Sequence, residues 1–514
     1  MTSLLYRNAG LRVTKTVLLV AFVSGWIAGT SALAQTIIIP TLSVSETYDS
    51  NVFYTPKTLL GPGSKPEDFS TQVIPQINVA HAGPLVSSSL SAGANITRYV
   101  NNPSLDYTGI NATGQLGLKN WANSFSQRIS ALSIQGTYQF TPSLGAFGAS
   151  PGGALGTGYG ATSGNSPVEA GLITNRVSMH NINLGITGGY VLSRTTTLTS
   201  TYNYTKLTFG KQSGGVNNQL FDTDGHTAST TLATRISPTD TVGTSASMSH
   251  FSQSGNSGGG SGSFTTISGA MSWSKSWTQR LSSSISGGGI VTLPIDSTIP
   301  GQSVQAQFAP TGTVTMSYSS VSEGLRGAGS TLGPFDSMPR LAGNLAAGKV
   351  LASGAYYVST SYTFSVFPSY ALGAGPMKTH VIGVNATGGI TSKLTALGGL
   401  NYSHGDTSSS ASRFDTIGAT AGANYLLGPV LVNLTYNWLY FSSSSAQAAQ
   451  AQSDYAFSKK MVILSLSYAF TSQSFFKMGG LGSLVSREPV DGITGSSDAG
   501  GGSGTSGPGV LRKE

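Results

Sequence analysis

Residues 457–470 read FSKKMVILSLSYAF. Val462, Leu464, Leu466, Tyr468 and Phe470 share one parity, while Met461, Ile463, Ser465, Ser467 and Ala469 share the other. Successive side chains of an extended strand point to opposite faces, so this alternation makes a strand with one apolar edge and one mixed edge. The strand stops on an aromatic residue and the chain then turns to Gly and Ser. A terminal strand of this kind needs partners on both sides, and the rest of the chain is read for them.

Composition sets the class of fold. The chain has 514 residues, of which only 9% are charged, with 68 glycines and an abundance of Ser and Thr. Soluble domains carry about 25% charged residues. Mean hydropathy is +0.04, and after the N-terminus no run approaches the roughly 20 apolar residues that a spanning helix needs. Strands with one lipid face and one watery face fit this balance; a Ser/Thr-rich β-solenoid is the other architecture it allows. Cysteine is absent, which excludes disulfides, thiolate metal sites, a cysteine nucleophile and a lipoprotein anchor.

The first 34 residues read as a secretion signal, with Arg7, Arg12 and Lys15 ahead of the apolar run TVLLVAFVSGWIAGT and a small-x-small site at Ala32-Leu33-Ala34. Cleavage is expected between Ala34 and Gln35. Its removal takes three basic residues and no acidic one, leaving 24 basic against 19 acidic residues, a net of +5. The pI near 9.4 therefore gives no ground for a nucleic-acid partner.

From residue 41 to 470 the strands come in pairs. Short joins are expected at Gly83-Pro84, Lys119–Ser124, Ser193-Arg194, Pro238, Thr278-Gln279, Thr391–Lys393 and Gly428-Pro429. Long stretches at 141–175, 210–222, 253–262 and 294–302 alternate with them. Outer-membrane barrels have short periplasmic turns and long outer loops, whereas a soluble sandwich has no reason to sort loop lengths by parity. With a periplasmic N-terminus, the short joins fall in the periplasm. Residues 303–354 hold either one strand and a long connection, giving 18 strands, or three strands, giving 20. The fold expected is an all-β transmembrane antiparallel β-barrel of about 18 strands, within a range of 16–20. It occupies 35–470 and is followed by a disordered Gly/Ser-rich periplasmic tail at 471–514.

Two strands carry the face chemistry. Val430, Val432, Leu434, Tyr436, Trp438 and Tyr440 oppose Asn433, Thr435 and Asn437; Tyr356, Val358, Tyr362, Phe364 and Val366 oppose Tyr357, Ser359, Ser361, Thr363 and Ser365. Aliphatics in mid-strand with Tyr and Trp at the ends match a lipid band bounded by an aromatic girdle. Closure leaves no strand edge and no unpaired backbone in lipid.

The segment 457–470 resembles the closing strand of bacterial outer-membrane β-barrels, with Leu464, Leu466, Tyr468 and Phe470 as its marks. That resemblance implies recognition by the barrel-assembly machinery and a setting of outer-membrane lipid and lipopolysaccharide. The stretch Glu46-Thr47-Tyr48-Asp49-Ser50-Asn51-Val52-Phe53 resembles the E-x-Y-x-x-N-x-F opening of a family of porin-like barrels often associated with exopolysaccharide export. It implies passage of polysaccharide or a small hydrophilic solute.

Chemistry-bearing clusters are sparse. Of six histidines, two stand beside carboxylates, in Asp224-Gly225-His226 and His404-Gly405-Asp406, both near the expected outer rim. Three readings follow. The first is a porin-like channel for neutral hydrophilic solutes, lined by Asn433, Thr435 and Asn437 with Arg128 and Lys206 as charges at a constriction. The second is a structural or adhesive surface barrel with an occluded lumen. The third is an outer-rim hydrolase using His226 or His404. No cofactor is implied, a non-enzyme is expected, and the oligomeric state is left open. A first strand so near the cleavage site leaves no room for the large plug of energised importers.

Overall fold

The computed structural model describes residues 35–53, 60, 65–141, 178–210, 221–255, 261–297, 306–320, 354–369, 375–407, 412–445 and 455–469. The expected cleavage residue Ala34, the signal segment, the loop 141–175 beyond its first residue, the tail 471–514 and Phe470 lie outside them.

Eighteen strands form one antiparallel sheet. The first six are β1 (Gln35–Asp49), β2 (Asp68–Ala82), β3 (Ser87–Tyr99), β4 (Tyr107–Gly117), β5 (Ile129–Thr141) and β6 (Met179–Val191). Next come β7 (Thr196–Phe209), β8 (Phe221–Arg235), β9 (Asp240–Gly255), β10 (Ser261–Ser276), β11 (Leu281–Ser297) and β12 (Gln307–Ser319). The wall finishes with β13 (Tyr356–Ser369), β14 (Gly375–Gly389), β15 (Leu394–Thr407), β16 (Ser412–Leu427), β17 (Val430–Ser445) and β18 (Tyr455–Ala469). Each strand pairs with its sequence neighbours, and β1 pairs with both β2 and β18, so the sheet closes on itself. The closing register runs from Thr41 opposite Ala469 to Asp49 opposite Met461. Among its described residues, region 303–354 holds the single strand β12, in keeping with the 18-strand reading.

The parity read from the sequence sorts the two faces. On β17, Leu434 and Tyr436 are 50% and 40% exposed, while Asn433, Thr435 and Asn437 are 6%, 7% and 2% exposed. On β18, Leu464, Leu466 and Tyr468 are exposed and Met461, Ile463 and Ser465 are buried. Exposed aliphatics on every second residue, carried around a closed wall, form a lipid-facing band; the polar parity faces the lumen.

One turn is built four times at the short-join end. The Ser193 hydroxyl accepts from the N–H of Thr195 and Thr196, and Ser237 from Thr239 and Asp240. Thr278 accepts from Arg280 and Leu281, and Thr391 from Lys393 and Leu394. A hydroxyl that satisfies two turn amides replaces the ladder bonds lost where the chain reverses. Gly428 supplies a further tight reversal with a positive φ of 59°, a conformation that glycine reaches without a Cβ clash.

Two boundaries differ from expectation. First, β1 begins at Gln35 and not at 41, running through Pro40 opposite Ile77; proline lacks an N–H and so disguises a strand in sequence. Second, the join ahead of β5 holds a one-turn helix, Lys119–Asn123, and β5 starts at Ile129 rather than 125. Trp121 and Phe125 are exposed there, with ring centroids 5.0 Å apart, in the manner of an interfacial aromatic anchor.

Candidate functional site

The inward parity of the wall is a field of hydroxyls and amides. Ser247 meets Ser268 at 2.7 Å, Ser282 meets Ser317 at 2.7 Å, Ser284 meets Thr315 at 2.6 Å, and across the closing seam Ser43 meets Ser467 at 2.9 Å. Thr205 donates to Asn183 Oδ1 at 2.7 Å. Asn433 is the hub of a denser group: its amide donates to Asn424, and its Oδ1 accepts from Thr435 at 3.0 Å and Ser465 at 3.5 Å. Asn437 accepts from Thr420 at 3.0 Å.

Glycines on neighbouring strands give the amides room to lie along the wall. A Cβ on Gly185 would stand 2.6 Å from Asn203 Oδ1, one on Gly399 2.6 Å from Asn385 Oδ1, and one on Gly418 2.2 Å from Asn401 Oδ1. The sequence therefore pairs a long polar side chain with an empty position across the ladder. The amides on these strands thus lie against a neighbouring backbone and not against a Cβ.

Charge on this parity is rare among the described strand residues and gathers at the seam. Lys459 on β18 lies 2.6 Å from Asp49 on β1, and its side chain is 1% exposed. Asp49 also accepts from the Asn51 N–H at 2.9 Å. On the next strand Asp68 accepts from the N–H of Asn101 and Asn102 at 2.8 and 2.9 Å. Sequence reasoning did not single out this group, although one Lys on the parity of Met461 and Ile463 is a readable anomaly.

Two expected lumen charges lie elsewhere. Lys206 shares the parity of Tyr202 and Tyr204 on the outward face and pairs with Asp224 at 3.0 Å. Arg128 is exposed in the turn ahead of β5, where its carbonyl accepts from the Val191 N–H. The polar triad Asn433, Thr435 and Asn437 does face inward, and it is covered. On β17 and β18 that cover extends to Phe441 and Phe457, stacked with centroids 5.4 Å apart. The inward Ser and Thr of β8 to β12 are half-buried over most of their length.

All six histidines are on the outward parity. His226 takes its hydrogen bond from Tyr202 at 2.8 Å and not from Asp224, and His404 pairs with Asp415 at 2.9 Å and not with Asp406. Both pairs sit at the long-connection rim, as expected, but on its lipid side. Parity combined with strand register was the signal that would have placed them; proximity in sequence suggested the wrong partner in each case.

A closed wall with an apolar exterior and a polar interior is the wall of a bacterial outer-membrane barrel. No family model and no curated protein matches the chain. Among solved structures, the outer membrane protein opdK from Pseudomonas aeruginosa is 10% identical, with 84% of this chain and 99% of that one covered at a TM-score of 0.36. A BenF-like porin from Pseudomonas fluorescens Pf-5 is 10% identical, with 86% and 100% covered at 0.39. OccAB2 from Acinetobacter baumannii is 8% identical, with 84% and 98% covered at 0.38.

Proposed function

We propose that this chain is an outer-membrane channel for the passive passage of neutral hydrophilic solutes. The observation that carries the reading is the inward parity: Ser, Thr, Asn and Gly on nearly every strand, with the amides laid flat over glycines. Such a wall exchanges hydrogen bonds with hydroxyl-rich solutes at little net cost and offers no continuous charged ladder to hold ions. An 18-strand barrel is wide enough to enclose an aqueous passage. The half-buried inward faces of β8 to β12 are the wall that a solute would follow. Polysaccharide export is the specialised form of this reading, and the opening E-x-Y-x-x-N-x-F stretch is what supports it.

A second reading, a surface barrel with an occluded lumen, is favoured by one observation. The inward side chains of β17 and β18 from Asn433 to Phe441 and from Phe457 to Ser465 are buried. Single-channel conductance of residues 35–514 in a planar bilayer separates the two. Steady ohmic steps that change when neutral sugars are added support the channel. A membrane-inserted, heat-modifiable protein that gives no steps overturns it and leaves the occluded barrel.

A further inference from the structure

The outward face carries a motif that repeats across three strand pairs. On β5 and β6, Tyr138 Oη is 3.1 Å from His180 Nδ1, and Phe140 stacks on the same imidazole at 4.6 Å. On β7 and β8, Tyr202 Oη is 2.8 Å from His226 Nδ1, with Tyr204 at 5.1 Å. On β13 and β14, Tyr362 Oη is 3.0 Å from His380 Nδ1, with Phe364 at 4.5 Å. A fourth pair, β15 and β16, varies it: Tyr402 donates to Asp415 at 2.7 Å, and the same carboxylate receives His404 Nδ1 at 2.9 Å. His250 Nδ1 is tied to Thr265 at 3.1 Å. In all five rings Nδ1 is therefore occupied by the wall, and Nε2 is the nitrogen left to what lies outside.

Their height is uniform. His180, His226 and His380 each stand ten residues before an outward residue of the short-join rim, Tyr190, Ile236 and Ile390, and His404 stands ten after Leu394. At a rise of about 3.3 Å and a tilt of about 40°, ten residues climb about 25 Å, the height of the apolar band of such barrels. The five rings thus mark the upper border of the lipid band, where aliphatics such as Ile182 and Ile382 give way to Lys206 and Lys378. The opposite border is marked by Trp and Tyr, with His81 the single imidazole there.

We propose that this belt is a recognition surface for the phosphorylated saccharide headgroups of outer-leaflet glycolipid. Tyrosine is a better donor than acceptor, so a hydroxyl given to Nδ1 fixes the neutral tautomer with its proton on Nε2. Three rings then present N–H donors to phosphoryl or hydroxyl oxygens without a charge to desolvate. His404, which gives its Nδ1 proton to Asp415, presents an acceptor to a sugar hydroxyl. The aromatics beside these imidazoles offer apolar faces to sugar rings. Among the carboxylates of the belt, Asp224 is paired with Lys206, and Asp415 is held by hydrogen bonds from Tyr402 and His404. The proposal holds whether or not the lumen conducts.

The test uses the folded mature chain, 15N-labelled at histidine, in detergent micelles. Adding bisphosphorylated lipid A should shift the Nε2 resonances of the five belt histidines and leave that of His81 in place. Dephosphorylated lipid A should give a weaker effect, and phosphatidylglycerol or inorganic phosphate at equal concentration should give none. The double variant His226→Phe/His380→Phe, once shown folded by its heat-modifiable mobility, should retain lipid A about 10-fold more weakly by native mass spectrometry. Equal shifts at His81, equal shifts with phosphatidylglycerol or free phosphate, or unchanged retention by the variant would each overturn the proposal.

Discussion

Replacing Asp49 with Asn isolates the buried ion pair that the described residues place at the closing seam. The change keeps the shape of the side chain but leaves Lys459, whose side chain is 1% exposed, beside a neutral amide. Removing the carboxylate charge opposite a buried ammonium costs up to about 3–5 kcal/mol. Lys459→Met removes the other partner and should cost less, about 1–3 kcal/mol. Asp49 keeps the Asn51 N–H and is 11% exposed on its side chain, so it retains part of its solvation. Replacing both, as Asp49→Asn/Lys459→Met, removes the two charges together and should recover most of the loss seen in Asp49→Asn alone. Equilibrium unfolding in urea from phospholipid vesicles, read by heat-modifiable mobility, gives the four corners of the double-mutant cycle. The reasoning fails if Asp49→Asn unfolds at the parent's midpoint, or if the double variant loses the sum of the two single losses.

Three further outcomes follow from the wall. Leu400→Arg, on the outward parity in mid-strand and 62% exposed, should lower stability by about 2–4 kcal/mol. Ser247→Arg on the inward parity should cost under about 1 kcal/mol; equal losses in the same vesicle assay would mean that the faces are misassigned. If β8 to β12 line the passage, Ser247→Arg should also move ion selectivity toward anions in a planar bilayer, and an unchanged reversal potential would remove those strands from the path. Gly428→Ala, at φ 59°, should destabilise by about 1 kcal/mol, and no shift in the unfolding midpoint would count against the turn as described.

The fold was legible because its signal is local. Period-2 alternation needs no knowledge of partners, and it located β17 and β18 within a few residues. Loop-length parity placed the short joins, but it spoke against one strand in region 303–354, because the long connection from β12 to β13 then falls at the short-join end; the direct pairing of β12 with β13 supplies the answer. The boundaries that failed had local disguises: Pro40 hid the start of β1, and the helix at Lys119–Asn123 was read as plain join. Site chemistry was less legible because it depends on register. Lys206 was expected in the lumen from its charge alone, yet its parity is that of Tyr202 and Tyr204. His226 and His404 were paired with the carboxylates nearest in sequence, Asp224 and Asp406. The ladder instead gives His404 to Asp415 opposite it and sets Tyr202 diagonal to His226.

The same alternation places two separate chemistries on one strand without interference. On β14 the outward side chains run Lys378, His380, Ile382, Val384 and Ala386, a sequence ordered by depth in the membrane. The inward ones, Thr379, Val381, Gly383, Asn385 and Thr387, show no such order and are selected by cross-strand fit, as with Asn385 over Gly399. A one-residue slip of register would carry His380 into the lumen and Asn385 into lipid, so register is held by both faces at once. The outward face therefore fixes where the barrel sits, and the inward face is free to vary with whatever passes or fills it. That separation lets the histidines of β6, β8, β14 and β15 keep one height on the outward face while the inward faces of β8 to β12 and of β17 and β18 differ in burial.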